Sequence, residues 1–166
     1  MKIDSSAYIH PLAVIIGDVT IGPRTSVWPT AVIRADSAPI TIGAECNVQD
    51  GCVLHVDEGL PLVIGSRVSI GHRAVLHGAT VEDDCLIAMG AILLNAVVVG
   101  TGSLVGAGAV CREEMRIPPR SVVLGVPARV ARTATSEITE RIRLTGESYV
   151  KLQEQYRAGK WPMHRT

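Results

Sequence analysis

The sequence predicts an all-β solenoid, a column of stacked three-sided coils, that is followed by one C-terminal α-helix. Aliphatic residues recur with a step of five or six over the first two thirds of the 166-residue chain. Aromatic residues make up only 3% of the chain although 47% of it is hydrophobic, and phenylalanine is absent. A glycine follows the recurring aliphatic residue in seven of fifteen cases. Together these observations indicate a narrow, regular interior.

The recurring aliphatic residues define that interior. A helix repeats about every 3.6 residues and a strand alternates every second residue, so neither produces a step of six. Three short faces would close one coil, and the stacked coils would bury a single aliphatic ladder. The fifteen inward positions predicted in this way are Ile16, Ile21, Val27, Ile33, Ile42, Val48, Leu54, Ile64, Ile70, Leu76, Val81, Ile87, Leu93, Val99 and Val105.

Small residues are expected beside the ladder and at its corners. Glycine directly after the inward residue suits either a turn with positive φ or a close approach between backbones. Cys46, Cys52 and Cys85 each lie four places after an inward residue, which favours burial as small hydrophobic side chains. The four cysteines of the chain form no Cys-x-x-Cys pair, so a reducing, cytoplasmic location is expected.

The charge and hydropathy of the chain argue against several classes of partner. Its 16 lysines and arginines balance 16 acidic residues, so no basic field favours nucleic acid or an anionic membrane surface. No apolar run approaches the ~20 residues that a membrane span needs. The first residues also lack the basic start and the apolar block of a signal peptide.

The chain divides into three predicted segments. The solenoid is expected to occupy residues 1–117, and loops around Asp36–Thr41 and Val56–Leu62 must project where the step exceeds six. The proline-containing segment 118–135 is expected to leave the column irregularly. A helix over residues 136–158 is expected to pack on the outside of the column.

The helix prediction rests on a periodic apolar face. Ser136 is the expected N-cap. Gly146 inside the helix costs about 1 kcal/mol relative to alanine, so packing against the column is expected to hold it. The face repeats in steps of four and three through Ile138, Ile142, Thr145, Tyr149, Leu152 and Tyr156.

The six-residue period, with its aliphatic residues and glycines, resembles the hexapeptide-repeat proteins. The resemblance implies a left-handed parallel β-helix of triangular cross-section. The left hand follows from the resemblance, since the usual rule for parallel crossovers would favour the right hand.

Three of the five histidines occupy related positions on the predicted coils. Arg34, His55 and His77 each directly follow an inward residue on one edge, one coil apart. Adjacent coils lie about 4.8 Å apart, which suits two imidazoles that share one ion. His72 falls on the preceding face, directly above Asp50. Because a face spans about 16–20 Å, His72 cannot easily reach an ion held by the other two histidines of its own chain.

A neighbouring subunit, rotated about a parallel axis, would bring its His72 to the height of His55 and His77. A three-histidine site therefore predicts a cyclic homo-oligomer, most simply a homotrimer with its metal sites at the subunit interfaces. Three neutral imidazoles with an open fourth position suit catalytic Zn²⁺, and Fe²⁺ or Co²⁺ can use the same ligands. The alternative is that these histidines only line a subunit interface.

The segments around these residues are similar to the γ-class carbonic anhydrase family. The similar segments are Ile33-Arg34-Ala35-Asp36, Asn47-Val48-Gln49-Asp50-Gly51, Leu54-His55, Ile70-Gly71-His72 and Leu76-His77-Gly78. The resemblance covers nearly the whole chain and implies that His55, His72 and His77 bind the metal, with His72 donated across the interface. It also implies that Gln49 is hydrogen-bonded near a metal-bound hydroxide.

The same resemblance implies roles for residues around the metal. Arg34, Asp36 and Asp50 would form a charged network, and the alternative for all three, which is equally expected for Asp36, is a plain interface salt bridge. Tyr149 would approach the metal from the helix, although a role in core packing is an equal alternative.

The chain departs from the family where protons leave the site. The best-known active member carries a long acidic loop with glutamates for proton transfer, whereas the loop here is only Val56–Pro61. Ser37 stands where another family glutamate would lie. Glu58 keeps a matching offset from His55 and is the expected proton-transfer residue, or else a solvated loop residue. Reduced proton transfer would slow CO2 hydration.

The resemblance implies a lyase, a carbonate dehydratase in which a metal-bound hydroxide attacks CO2 to give bicarbonate. The first alternative is a metal-dependent acyl-CoA thioesterase of the same fold, in which the same hydroxide attacks a thioester. The second is a hexapeptide acyltransferase that uses a histidine as general base without a metal, which short loops and three registered histidines disfavour. A purely structural trimer is the remaining alternative.

Overall fold

In the computed structural model, which describes residues 1–164, the chain forms a left-handed parallel β-helix of about seven turns followed by a single α-helix. This confirms the predicted fold class. The elements are β1 (Lys2–Ile3), β2 (Tyr8–Ile9), β3 (Val14–Ile21), β4 (Ser26–Val27), β5 (Val32–Ile42), β6 (Asn47–Val48), β7 (Val53–His55), β8 (Leu62–Ile64), β9 (Ser69–Ile70), β10 (Val75–His77), β11 (Thr80–Val81), β12 (Leu86–Ile87), β13 (Ile92–Leu93), β14 (Val98–Val99), β15 (Leu104–Val105), β16 (Val110–Cys111), β17 (Arg116–Ile117), β18 (Ser121–Leu124), β19 (Arg129–Thr133) and α1 (Ser136–Arg157).

Strands of successive coils pair in parallel, so that each face of the column is a continuous sheet. One sheet runs in the order β16-β13-β10-β7-β5-β8-β11-β14-β17, and the second runs β19-β18-β15-β12-β9-β6-β4-β2. The long strand β5 joins two faces, because it pairs with β7 at its start and with β8 at its end. The histidines of interest lie at the ends of β7 and β10, and just after β9.

The aliphatic ladder is confirmed at fourteen of the fifteen predicted positions, all of which are at most 2% exposed. The prediction for Ile16 is wrong, because its side chain is 45% exposed and its neighbour Ile15 packs against the core instead. The register explains the difference, since Ile15 pairs with inward Ile33 and Ile16 pairs with outward Arg34. A uniform step of six, counted back from Ile21, leads to Ile15.

The glycines after the inward residues allow the coils to approach one another closely. A Cβ atom at Gly43 would lie 2.6 Å from the carbonyl oxygen of Gly65, and one at Gly22 would lie 2.7 Å from the carbonyl carbon of Gly43. At these positions it is therefore the spacing of the backbones, and not a positive φ, that requires glycine.

The cysteines behave as small buried side chains. All four are free and at most 1% exposed. Burial raises the pKa of Cys46 and Cys111 to about 11 and that of Cys52 and Cys85 to about 12. The thiols are therefore neutral and poorly nucleophilic at neutral pH, which fits the structural role predicted for Cys46, Cys52 and Cys85.

Three predicted irregular segments are more ordered than expected. Residues 36–41 belong to β5, and a register shift against β3 leaves residues 36–39 bulging between paired positions. The expected loop after His55 is a tight turn, in which the Leu60 amide donates to the Asp57 carbonyl at 3.0 Å. Within segment 118–135, β18 extends the parallel stack and β19 turns back antiparallel to it.

The helix α1 packs along the sheet that contains β4, β6 and β9. Its N-cap is Thr135 and not Ser136, since the Thr135 hydroxyl accepts a hydrogen bond from the Ile138 amide at 3.4 Å. The buried face is rotated from the predicted one and consists of Ile142, Gly146, Val150 and Gln153. No helix within residues 1–164 combines the length and apolar character that a bilayer crossing requires.

Gly146 does not serve close packing. A Cβ atom there would meet no atom within 4 Å outside the neighbouring backbone of its own helix, because the residue lies over a groove of about 420 Å³ between α1 and the column. Ile142 and Val150 form the apolar part of that groove, and Arg24 and Arg67 lie on its column side. Packing against the column holds the helix, as expected, but that packing does not require a glycine at this position.

Replacement of Gly146 by alanine should stabilise the protein. Gly146→Ala is expected to raise the free energy of unfolding by about 1 kcal/mol, because it restores helix propensity without a steric clash. Urea unfolding followed by circular dichroism measures the change. Gly43→Ala is the matched control and should destabilise the fold, since its Cβ would lie 2.6 Å from the Gly65 oxygen. Equal losses in both variants would contradict this account of Gly146.

Candidate metal centre

The coil register brings two of the three predicted ligands together. His55 pairs with His77 across β7 and β10, and Arg34 pairs with His55 across β5 and β7. The Nδ1 atom of His55 and the Nε2 atom of His77 are 2.9 Å apart. The two side chains are 18% and 27% exposed, so they are accessible from one side. The spacing of neighbouring strands thus brings one ring nitrogen of each histidine close together.

The outer nitrogen of each ring is held by an oxygen acceptor. His55 Nε2 lies 3.0 Å from Asp36 Oδ1, and His77 Nδ1 lies 2.6 Å from Asn95 Oδ1. Arg34 contacts Asp36, and this guanidinium holds the pKa of the Asp36 carboxyl below its usual range. An ionised carboxylate only accepts hydrogen bonds, so the proton of His55 is on Nε2 and its lone pair is on Nδ1.

The resulting donor set fits a divalent cation. His55 Nδ1 and His77 Nε2 lie 2.9 Å apart, so a single cation can contact a ring nitrogen of each histidine. Histidines that bind metals characteristically donate their other ring N–H to a carboxylate or carbonyl oxygen. The ligand atoms of His55, His77 and Asp57 all lie within 4.8 Å of one another. The site can therefore accept a metal ion on its imidazoles.

The third predicted ligand lies on another face of the column. His72 Nδ1 is 2.9 Å from Asp50 Oδ2, and His72 Nε2 is 3.5 Å from the Tyr149 hydroxyl. Asp50 therefore lies directly beside His72, as the coil count predicted. Within residues 1–164 of one chain, His72 is not part of the cluster around His55 and His77.

Gln49 is buried beside His72 in a continuous chain of hydrogen bonds. Its Nε2 atom donates to Asn47 Oδ1 at 2.9 Å, and its Oε1 atom accepts from the His72 amide at 3.2 Å. Asn47 in turn donates to the Ser69 hydroxyl at 2.8 Å. Because Gln49, Asn47 and Ser69 are at most 4% exposed, this chain holds the Gln49 amide in one orientation.

Tyr149 has the packing role predicted for it and its hydroxyl lies beside His72, whereas its approach to a metal stays a prediction. Its ring packs edge-on against Trp28, with the ring centroids 5.4 Å apart, while its hydroxyl points to His72 Nε2. Burial, with a smaller contribution from the negative charge of Asp50, raises the pKa of Tyr149 to about 12. The phenol is therefore neutral and can donate a hydrogen bond to the unprotonated Nε2 atom of His72.

The structure adds two residues that the sequence analysis missed, and it leaves the predicted Glu58 outside the cluster of ligand atoms. Asp57 and Asn95 lie at the His55–His77 pair, whereas Glu58 is exposed at the tip of the turn 57–60. Asn95 follows His77 by eighteen residues, the length of one regular coil. That spacing is the signal that could have revealed it.

Comparisons with known proteins show similar chains of two kinds. Family models described as the bacterial transferase hexapeptide, of six repeats, and the hexapeptide repeat of succinyl-transferase match residues 1–35 and 61–95. A Methanocaldococcus jannaschii protein named "Probable carbonic anhydrase" is 48% identical over 86% of this chain and 89% of its own length. The mitochondrial gamma carbonic anhydrase 1 of Arabidopsis thaliana is 41% identical over 94% of this chain, which spans only 59% of that protein.

A solved structure gives the same result for the fold. The hexapeptide transferase family protein of Anaplasma phagocytophilum superimposes with a TM-score of 0.90 at 34% identity. The superposition covers 93% of this chain and 92% of that one.

The hydrogen-bond chain at Gln49 gives a prediction about stability. Asn47→Leu removes the partner of both Ser69 and Gln49, and the buried groups left unpaired should lower the free energy of unfolding by about 1–3 kcal/mol. Urea unfolding measures the loss. The double variant Asn47→Leu/Ser69→Ala also removes the Ser69 hydroxyl, one of the buried groups left unpaired, and should recover part of the lost stability. Wild-type stability in the single variant would show that these hydrogen bonds do not contribute to the free energy of unfolding.

Proposed function

Since this chain belongs to the γ-class carbonic anhydrase-like family of hexapeptide-repeat proteins, we propose that it is a metal-dependent enzyme that converts CO2 to bicarbonate. The observation that carries the proposal is the pair of imidazoles, His55 and His77, whose Nδ1 and Nε2 atoms face each other at 2.9 Å. The histidine pair suits a metal, and carbonic anhydrase is the activity named for the relatives.

The metal would be held by His55 and His77 of one subunit and by His72 of its neighbour. Zn²⁺ is the first candidate for three imidazoles, and Fe²⁺ or Co²⁺ suits the same set. When bound with an open coordination position, such an ion lowers the pKa of coordinated water to about 7 and so provides a nucleophile.

The protein's own residues would orient the site and handle protons. Asp36 and Asp50 accept hydrogen bonds from the ring N–H groups of His55 and His72, so that each ring presents its other nitrogen. Gln49 lies beside His72 with its amide fixed, where it would orient the attacking water. The carboxylate of Glu58 is exposed on the turn that follows His55, where it would pass a proton to buffer.

The homotrimer would be assembled on the outer surface of the same sheet. A column of apolar side chains runs beside Arg34, His55 and His77, and in one chain Val14 is 44% and Val53 is 38% exposed. Such a patch is typical of a protein interface. The registered members of this column are Val14, Val32, Val53, Val75 and Ile92. A reducing, cytoplasmic location is proposed because all four cysteines are free.

The decisive experiment is stopped-flow CO2 hydration with anaerobically prepared, metal-reconstituted protein. We expect activity that depends on the added metal and is abolished by His77→Ala. Hydrolysis of acyl-CoA is measured on the same samples. Metal-dependent thioester hydrolysis without CO2 hydration would contradict the proposal and would support the thioesterase alternative.

Mixed trimers test the donation of His72 across the interface. His72→Ala and His77→Ala should each lose tight metal binding, because every site then lacks one ligand. When the two variants are refolded together, some sites are complete. In these a His72→Ala subunit supplies His55 and His77, and its His77→Ala neighbour supplies His72. With random assembly, about three quarters of trimers are mixed and each has one whole junction, so about a quarter of sites should bind metal.

Metal per subunit, measured after removal of free ion, decides between the two arrangements. If one subunit supplied all three ligands, no mixture of the variants could rebuild a site. A mixed sample that binds no more metal than either variant alone would therefore exclude the shared site. Light scattering checks that the mixture is a trimer.

Glu58 is expected to assist proton export. Glu58→Ala should lower kcat at low buffer concentration, and added imidazole should restore part of the loss, because an external base replaces the missing carboxylate. Glu113→Ala, at another exposed turn, is the control. An unchanged kcat for Glu58→Ala at low buffer would leave this residue as a solvated surface group.

A further inference from the structure

We propose that Asn95 is a positioning residue for His77, and that Asp57 sets the orientation in which Asn95 acts. Together they would determine which ring nitrogen of His77 carries the proton and leave Nε2 free at the candidate metal centre. The link to metal binding rests on the proposed function, whereas the proton position in His77 does not.

The three side chains form a connected chain of hydrogen bonds. Asn95 Oδ1 is 2.6 Å from His77 Nδ1, and Asn95 Nδ2 is 3.1 Å from Asp57 Oδ2. The other carboxylate oxygen of Asp57 is 3.9 Å from His77 Nε2, which is too far for a hydrogen bond. Asp57 therefore acts on the His77 ring through the amide of Asn95.

The chemistry of the carboxylate fixes the direction of this chain. An amide side chain alone can present either its oxygen or its nitrogen to a ring. An ionised carboxylate only accepts, so the nitrogen of Asn95 must face Asp57 and its oxygen must face His77. Nδ1 of His77 must then be the donor, which leaves Nε2 as an unprotonated acceptor.

The orientation matters because of what faces the other side of the ring. His77 Nε2 lies 2.9 Å from His55 Nδ1, whose proton is held away on Nε2 by Asp36. If the proton of His77 moved to Nε2, the two rings would hydrogen-bond directly to each other. That internal bond would compete with a metal for both nitrogens.

The backbone has a seat for the Asn95 side chain. Gly78 has a φ of +51°, and a Cβ atom there would lie 2.9 Å from Asn95 Oδ1 and 3.1 Å from Leu60 Cβ. The Ala96 amide donates to the Gly78 carbonyl at 2.8 Å, which fixes the Asn95 turn above that glycine. The same glycine thus makes room for both the amide and the turn 57–60.

The first test reads the proton position directly. In metal-free protein, two-bond ¹⁵N–¹H correlations distinguish the Nδ1–H and Nε2–H forms of a neutral histidine. We expect wild-type His77 in the Nδ1–H form. Asn95→Leu, of similar size but without an acceptor, should shift His77 to the Nε2–H form. Glu58→Gln, in the same turn as Asp57, is the control and should leave the form unchanged.

A reciprocal exchange tests the part played by Asp57. In Asp57→Asn the amide of Asn95 is no longer forced to turn its oxygen to His77, so both forms should be populated. In Asn95→Asp/Asp57→Asn an acceptor-only group again faces the ring, and the Nδ1–H form should return. If Asp57 had only a structural role, the Nδ1–H form of His77 would not be lost in one variant and restored by a second substitution.

Metal affinity gives an independent measure. Titration with Co²⁺, followed by its visible absorption, should show weaker binding in Asn95→Leu. The expected loss is about 10–100-fold, the usual range for a residue that orients a metal ligand. Circular dichroism and light scattering verify that each variant is folded and assembled.

Two outcomes would overturn the proposal: His77 in the Nε2–H form in the wild-type protein, or an unchanged Nδ1–H form in Asn95→Leu. Failure of the proposed function is seen separately. A protein without CO2 hydration activity, in which Asn95→Leu still shifts the proton of His77, would refute the enzyme assignment and leave the role of Asn95 intact.

Discussion

The structure depends on one constraint, the in-register stacking of coils at the spacing of neighbouring parallel strands. Gly22 and Gly43 permit this spacing, because any side chain there would collide with the backbone of the next coil. Once the register is set, residues that follow an inward position repeat on the same edge. His55 and His77 are neighbours for the same reason that Leu54 and Leu76 are neighbours in the interior. The site is therefore a direct product of the core.

The stacking brings the imidazoles together, but it does not decide where their protons lie. That is decided by the oxygen that each outer nitrogen meets, from Asp36 on the coil below and from Asn95 on the coil above. In both cases a charged residue sets the direction, since Arg34 keeps Asp36 ionised and Asp57 orients Asn95. The regular column thus sets the positions of the two imidazoles, and a few polar contacts outside the repeat set which ring nitrogen carries the proton.

Much of the fold could be predicted from the sequence because a triangular interior admits one aliphatic residue per face. The error at Ile16 arose at the first coil, where two adjacent isoleucines both satisfy a step of five or six. The site was predictable as far as residue period and coil count reach, which includes the place of His72 above Asp50. Asn95 was overlooked although it follows His77 by one coil of eighteen residues. Asp57 was missed because a turn leaves no period in the sequence, and neither does the orientation of an amide.

The division of the site between two faces has a consequence for assembly. In a single chain, His72 turns its unprotonated nitrogen to the neutral hydroxyl of Tyr149 at 3.5 Å, a long and weak contact. With the proton of His77 on Nδ1, as we propose, His55 and His77 present two lone pairs to each other, an arrangement that costs free energy in the absence of a cation. Both halves of the site are therefore unsatisfied in the monomer. A neighbouring subunit and a metal ion would relieve them together, so assembly and metal binding should stabilise each other.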